Sequence, residues 1–195
     1  MEKNITIDSL IGKSLSSKSL HTVEHMERVA LLVRKTYPYA VSAFGLDPSC
    51  SEDYAVSALL HDIGKITIDS SILNGSGALS SVEREEMKGH CEFGAGILSQ
   101  RDKRGPNDLY YDCTMYHHEQ WDGLGYPFGL KAREIPFVAR FVSVLDYFDA
   151  LTSERPYKEA KSREETLAII VREKGRIFDP LLVDFFVGMY EQKII

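Results

Sequence analysis

Apolar residues recur at helical spacing in almost every stretch of the 195-residue chain that shows a pattern. Between Leu20 and Val33 they return every three or four positions, which predicts an amphipathic helix with Ser19 as its N-cap. The same spacing predicts further helices, around residues 51–64, 80–98, 108–119, 134–149, 164–173 and 180–192. No alternating pattern typical of a strand is longer than a few residues. We therefore expect an all-α fold, in which Ser51 caps the second helix and residues 67–77 form a loop.

Length and charge narrow the class of protein. A chain of this length is expected to form one domain with a real core. It carries 23 Lys and Arg against 29 Asp and Glu, a formal charge of -6, and no basic run. This argues against binding of long nucleic acid, although a small anionic ligand is compatible with a site of locally reversed charge. The N-terminus lacks a signal pattern and no apolar stretch could cross a bilayer, so we predict a cytoplasmic protein without a membrane span.

The three cysteines, Cys50, Cys91 and Cys113, do not form a recognisable framework. Their number is odd and no CxxC spacing occurs, so the sequence indicates neither a disulfide scaffold nor a zinc ribbon. We expect three reduced cysteines that are buried or chemically inert.

Two short groups contain side chains suited to metal binding. The sequence His-Asp-Ile-Gly-Lys at residues 61–65 sets an imidazole beside a carboxylate at a predicted helix end, where both can bind metal. His21 and His25 lie four positions apart, which places both rings on one face of a helix. Either group alone is as compatible with a solvated surface as with a site.

A second cluster follows later in the chain. Residues 117–119 read His-His-Glu, and glycines at 123, 125 and 129 with Pro127 then rule out an extended helix, which predicts a structured loop. His90 lies within a predicted helix whose other residues supply apolar contacts. A lone helical histidine is more often a core or surface residue than a metal ligand. His90 therefore supports a metal site only together with the other candidate ligands.

Taken in order, these residues resemble the HD-GYP subfamily of HD-domain metal-dependent phosphohydrolases. The resemblance rests on His25, residues 61–65, His90, residues 117–127 and Asp146, and it continues into residues 146–158 and 178–180. The run from His117 to Pro127 is its most specific part. The resemblance covers about residues 18–190 and implies an HD-domain helical bundle with a glycine-rich GYP loop. On this basis residues 1–17 are an N-terminal segment and residues 18–195 the catalytic domain.

The resemblance also implies a ligand set for two metal ions. One ion would be held by His25, His61, Asp62 and Asp146. The other would be held by Asp62 as a bridge together with His90, His117 and His118. Imidazole and carboxylate ligands without a thiolate suit iron or manganese, with zinc less favoured. Family members with three ions carry a glutamate where this chain has His21, so we expect two ions, with His21 a candidate ligand for a third.

The implied activity is hydrolysis of cyclic di-GMP to pGpG, with GMP as a further product to test, by attack of a metal-bridging hydroxide on phosphorus. Asp62 and Lys65 would be the catalytic residues. The expected substrate contacts are Lys65, Tyr126, Arg155 and Lys158. A cation can stabilise phosphate charge, but each of the three cationic residues can also be a surface residue. Tyr126 can stack on a base or simply pack the loop.

Two other functions are compatible with the same residues. The first keeps the chemistry but changes the substrate to another cyclic dinucleotide or a nucleotide phosphate, because the HD platform serves many phosphohydrolases. The second is a signalling module with slow or absent hydrolysis, in which residues 119–130 dock a diguanylate cyclase (GGDEF) domain. Base contacts would separate the substrates, and no pattern in the sequence reveals them.

Overall fold

A computed structural model describes residues 15–75, 77–102, 108–154 and 159–195. Within those ranges the regular structure is helical, and β pairing is limited to an isolated bridge between Lys174 and Phe178. The predicted all-α fold is confirmed. Among the described residues, no helix is long and apolar enough to span a membrane.

The helices of the described residues range in length from 4 to 25 residues. Residues 15–18 are helical as well. The helices that follow them in chain order are α1 (Leu20–Phe44), α2 (Ser51–Leu60), α3 (Ser70–Leu73), α4 (Ser81–Lys88), α5 (His90–Asp102), α6 (Leu109–Tyr116), α7 (Phe137–Thr152), α8 (Arg163–Arg172) and α9 (Pro180–Glu191). Short 3-10 turns accompany them at Pro48–Cys50, Ile63–Thr67 and Ala132–Glu134.

The hydrophobic core lies between α1, α2, α6 and α7, and α8 and α9 close it from one side. Val29 of α1, Ala55 of α2 and Val142 of α7 are fully buried in it. The Phe148 and Phe186 rings meet edge to face at 5.2 Å, which joins α7 to α9. Burial of each large apolar side chain contributes roughly 1.5–3 kcal/mol. This packing sets the polar end of α7 beside the first half of α1.

Several helix ends differ from the prediction, among them those of the first two helices. Helix α1 continues past Val33 to Phe44 through Pro38, because its apolar face goes on with the fully buried Tyr37 and Ala40. It ends at Gly45, whose φ of 67° is the left-handed conformation that glycine tolerates. The second helix ends at Leu60, and the Ile63–Thr67 turn follows where the prediction continued the helix to residue 64.

Three local predictions are also wrong. Cys50, not Ser51, occupies the N-cap position of α2, because Asp47 caps the preceding turn and brings Ser51 into the helix. The expected loop at residues 67–77 contains α3, capped by the Asp69 carboxylate. The single helix predicted over residues 80–98 is divided at Gly89 into α4 and α5. Ser80 does begin α4, where it forms a capping box with Glu83.

A close backbone contact locks α5 against the turn that follows α2. A Cβ atom added to Gly64 would lie 1.9 Å from the His90 carbonyl oxygen and 2.6 Å from the Gly94 amide nitrogen. Only glycine allows the two backbones to meet at this distance. The contact brings His90, at the start of α5, up to Asp62, which lies two residues before Gly64.

Candidate metal centre

Four buried histidine rings converge from different elements on the carboxylate of Asp62. His25 lies on α1, His61 directly after α2, His90 at the start of α5 and His117 directly after α6. The Nε2 atoms of His25 and His61 lie 3.9 and 3.4 Å from Asp62 Oδ2. Those of His90 and His117 lie 3.2 and 3.7 Å from Oδ1. Both carboxylate oxygens therefore face imidazole nitrogens.

In three of these rings, the hydrogen bond of Nδ1, the nitrogen that faces away from Asp62, determines which ring nitrogen carries the hydrogen. Nδ1 of His61 lies 2.6 Å from the Ala58 carbonyl oxygen, and Nδ1 of His90 lies 2.7 Å from that of Met87. Nδ1 of His117 lies 3.1 Å from the Cys113 and Thr114 carbonyl oxygens. Because a carbonyl only accepts, each Nδ1 must donate, and in the neutral ring Nε2 then presents a lone pair. Burial lowers the pKa of His117 to about 4, so this ring is neutral.

The inward-facing atoms lack the donors that they would need without a cation. Nε2 of His90 and Nε2 of His117 lie 3.3 Å apart, although both are acceptors in this tautomer. Among the described residues, the buried His61 Nε2 and Asp62 Oδ1 have no hydrogen-bond partner. Imidazoles whose far nitrogen donates to a backbone carbonyl are the usual metal-binding arrangement. A divalent ion fits this donor set, because it can bind several imidazole lone pairs and a carboxylate at once, whereas a proton joins only two acceptors.

The candidate ligands fall into overlapping groups of atoms within 4.8 Å of one another. These groups are His25, His61 and Asp146; His61, Asp62 and His117; and His90, Cys91, His117 and His118. The structure thus brings all seven ligands of the predicted two-ion site into one region. It also places there Cys91, which was expected from the sequence to be inert.

His25 is held from both sides by carboxylates. Its Nε2 lies 2.8 Å from Asp146 Oδ1, and its Nδ1 lies 2.6 Å from Asp149 Oδ2. Burial disfavours the charged ring, but hydrogen bonds to the two carboxylates outweigh burial and raise the pKa of His25 to about 9. Asp149 in turn accepts two hydrogen bonds from Arg28, at 2.8 and 3.0 Å. The sequence indicated no role for Asp149 or Arg28, although each lies three residues, one helical turn, after an expected ligand.

Both central carboxylates stay ionised despite their burial. Burial alone would raise the pKa of Asp62, but the charge of the adjacent Lys65 holds it well below the usual range. The pKa of Asp146 is likewise lowered, because hydrogen bonding to His25 overcomes burial. The site therefore offers two negative charges to a cation.

Lys65 and a cavity lie beside these carboxylates. Lys65 donates from Nζ to Asp62 Oδ2 at 2.5 Å. The cavity has a volume of about 260 Å³, and its polar lining includes His25, Asp62, Lys65, His118, Gln120 and Asp146. A small anionic group entering it would meet Lys65 and the ligand cluster together.

The glycine-rich loop is built around the buried Glu119. Its carboxylate accepts hydrogen bonds from the amides of Phe128 and Leu130, at 2.7 and 3.0 Å. A Cβ atom on Gly125 would lie 2.3 Å from the Gln120 amide nitrogen, so the loop folds back tightly on its own start. The ring of Tyr126 stacks on His118 with centroids 4.8 Å apart. Tyr126 is absent from the cavity lining, which favours its packing role over the predicted substrate contact.

His21, the candidate ligand for a third ion, lies apart from this cluster. The side chain of His21 is 58% exposed and its Nδ1 lies 3.6 Å from Glu24, and it belongs to none of the ligand groups found among the described residues. Arg155 and Lys158 lie outside the described residues. The three cysteines are free, with Cys91 and Cys113 buried and Cys50 half-buried.

Comparisons with known proteins agree on one family. A family profile described as HD domain matches residues 10–182. A cyclic di-GMP phosphodiesterase of Thermotoga maritima is 38% identical over 175 residues, 90% of this chain and 46% of the relative. A 3'3'-cGAMP-specific phosphodiesterase 2 of Vibrio cholerae is 33% identical over 184 residues, 94% of this chain and 34% of the relative. The chain thus spans between about a third and a half of these relatives.

A solved structure shares the fold. It is described as Bd1817, a HDG"Y"P protein from Bdellovibrio bacteriovorus, and it superposes with a TM-score of 0.67 at 18% identity. The match covers 87% of this chain and 52% of that one. At this identity the likeness establishes the helical architecture and nothing finer.

Proposed function

The chain belongs to the HD-domain family, in its HD-GYP branch, and from this premise we propose that it is a metal-dependent phosphodiesterase that hydrolyses a cyclic dinucleotide. Relatives named for cyclic di-GMP and for 3'3'-cGAMP make these two the substrates to test, with cyclic di-GMP first. The observation that carries the proposal is the convergence of four imidazole Nε2 atoms and two ionised carboxylates beside a cavity with a fixed cation.

The proposed ligands for two ions are those expected from the sequence. His25, His61, Asp62 and Asp146 would hold one ion, and Asp62, His90, His117 and His118 would hold the other. When bound, divalent ions would supply charge stabilisation to the phosphate oxygens and lower the pKa of an attacking water. Iron and manganese suit this set of nitrogens and oxygens. His21 stays a candidate for a third ion, although its exposure argues for two.

Lys65 would act on the substrate directly. Its ammonium group lies at the cavity wall and is held by Asp62, so it is already oriented before a phosphate enters. A preoriented cation stabilises the negative charge that builds up on phosphate oxygens during hydrolysis. Asp62 thereby orients the lysine, and it would also hold the ions.

The cavity accommodates only part of a cyclic dinucleotide. At about 260 Å³ it falls below the roughly 300–1,000 Å³ of pockets that enclose a drug-sized ligand. We infer that one phosphate and its ribose enter, while the bases lie along the rim. Arg155 and Lys158 remain proposed phosphate contacts on the basis of the sequence alone.

The test is turnover of a panel of cyclic dinucleotides by protein loaded anaerobically with iron or manganese, with analysis of pGpG and GMP. We expect close to two ions per chain and hydrolysis that is abolished in Asp62→Ala, because this substitution removes the shared carboxylate. Turnover by Asp62→Ala at the parental rate would contradict the bridging role. A protein that binds no metal would contradict the proposed centre itself.

A second candidate function is favoured by the surface of the glycine-rich loop. Leu124 is 77% exposed and Phe128 is 59% exposed, so the loop presents two large apolar side chains to which a partner can bind. The partner proposed from the sequence is a diguanylate cyclase (GGDEF) domain in the cytoplasm. Saturable binding of such a domain by a metal-loaded protein without turnover would favour this function instead.

A further inference from the structure

Cys91 lies inside the candidate metal centre. It follows His90 at the start of α5, is fully buried, and its Sγ lies 3.5 Å from Nε2 of His90. The sulfur and one ring nitrogen from each of His90, His117 and His118 all lie within 4.8 Å of one another. The other two cysteines belong to none of the ligand groups found among the described residues.

The spacing of these atoms matches ligands that share one ion. Metal–sulfur and metal–nitrogen bonds of about 2.3 and 2.05 Å at a tetrahedral angle set sulfur and nitrogen about 3.5 Å apart, and two nitrogens about 3.3 Å apart. The observed separations are 3.5 Å between Cys91 Sγ and His90 Nε2, and 3.3 Å between the Nε2 atoms of His90 and His117. Both of these separations therefore match those of nitrogen and sulfur ligands on one ion.

A hydrogen bond donated by the Cys91 thiol would explain less of this arrangement than a shared metal ion does. An S–H group is a weak donor with a single hydrogen, and in this cluster it would face several acceptors. Nε2 of His90 also faces Nε2 of His117 at 3.3 Å and Asp62 Oδ1 at 3.2 Å, so one donated hydrogen leaves acceptors against acceptors. A metal ion satisfies the sulfur, the nitrogens and the carboxylate together.

We propose that Cys91 supplies a thiolate ligand to the ion held by His90, His117 and His118. The sulfur–metal bond forms as the thiol proton leaves to solvent, and the sulfur keeps its electron pair for the metal. The inference rests on the metal centre proposed above, and it changes the sequence-based expectation of a centre without a thiolate. Because thiolate is a soft ligand, this position should prefer zinc or iron to manganese.

Zinc X-ray absorption of the full chain tests this proposal. The protein is stripped with chelator and reloaded with zinc under reducing, anaerobic conditions. We expect a sulfur neighbour at about 2.3 Å in the parent, lost in Cys91→Ser and retained in Cys50→Ser, the matched control with a distant cysteine. In a competition titration, Cys91→Ser should lose at least about tenfold in zinc affinity, the low end of what loss of an outer-shell partner costs. Its manganese affinity should change less.

The outcomes separate this proposal from the proposed function. Zinc bound only by nitrogen and oxygen in the parent would overturn the thiolate and leave the phosphodiesterase proposal standing, whereas absence of bound metal would overturn both. A sulfur neighbour that persists in Cys91→Ser would also overturn the assignment. If Cys91→Ser does not fold, the double variant Cys50→Ser, Cys113→Ala keeps the proposal testable. It leaves Cys91 as the only cysteine and must retain the sulfur signal.

Discussion

The imidazole ring of His25 lies between two carboxylates, and each of its nitrogens contacts one of them. Asp146 faces the inner nitrogen, where a metal would bind, while Asp149 holds the outer one. Asp149 can do this because Arg28 neutralises it with two hydrogen bonds. The Arg28 and Asp149 pair would therefore act on a bound metal through the orientation and basicity of His25.

Replacement of Asp149 by Asn tests this positioning role. The amide oxygen can still accept from His25, but it carries no charge and leaves Arg28 without its anion. We expect metal affinity to fall roughly 10–100-fold, as for other outer-shell partners. The measurement is a competition titration of chelator-stripped protein. Arg34→Gln is the matched control. Arg34 lies on the same helix as His25, and the substitution breaks only its exposed ion pair with Glu52 of α2, so metal affinity should be unchanged. Equal affinities in the parent and Asp149→Asn would contradict the role.

Single residues also show which parts of the candidate site can be predicted from the sequence. The seven expected ligands could be named because the order of these residues along the chain resembles the HD-GYP pattern, which implies the ligand set. Asp149 contacts His25 across 124 positions, and Cys91 meets His117 only through the packing of α5 on α6. No local sequence pattern predicts contacts between residues so far apart in the chain. The contact of Asp149 with His25 and the position of the Cys91 thiol could therefore be seen only in the structure.

At the scale of elements, most helices could be predicted from the sequence, but several of their ends and the breaks between them could not. Periodicity gave most helices because one apolar face repeats along each of them. It missed the continuation of α1 through Pro38, where burial of Tyr37 and Ala40 overrides a local helix breaker. It also missed the division at Gly89, because apolar spacing on either side of a break can look continuous.

The contact between the Ile63–Thr67 turn and α5 supports a prediction for Gly64→Ala. The added methyl group would meet the backbone of His90 and Gly94, which cannot move aside as a flexible side chain can. We expect the free energy of unfolding to fall by roughly 1–3 kcal/mol, the range for overpacking, and zinc affinity to fall because His90 is displaced. Urea denaturation of the metal-free protein measures the first effect separately from the second.

Gly96→Ala is the control for this substitution. Gly96 lies in the same helix as His90 and Gly94, and nothing lies within 4 Å of a Cβ atom placed on it. An alanine in a helix interior should stabilise the protein by roughly 0.5–1 kcal/mol relative to glycine. Equal changes in the free energy of unfolding for Gly64→Ala and Gly96→Ala would show that the close contact at Gly64 does not destabilise the alanine variant.

Over the whole molecule, the candidate ligands join elements that are far apart in the chain. They come from α1, the turn after α2, the start of α5, the end of α6 and α7. The net charge of -6 describes the molecule as a whole, whereas the site combines buried anions with Lys65 and a place for cations. A bound ion would cross-link this bundle and remove the acceptor-to-acceptor contacts at its centre.

Metal removal should therefore lower the stability of the entire domain. An ion present at about 100 times its dissociation constant stabilises the folded state by about 2.7 kcal/mol, which for a chain of this size corresponds to a Tm difference of roughly 5–10 °C. We expect chelator to lower Tm by at least this amount and added zinc, iron or manganese to restore it. In Asp62→Ala the chelator should have little effect, because the carboxylate between the ligand groups is gone. A parent protein with the same Tm in chelator and in metal would show that these histidines and carboxylates are held together by the fold alone.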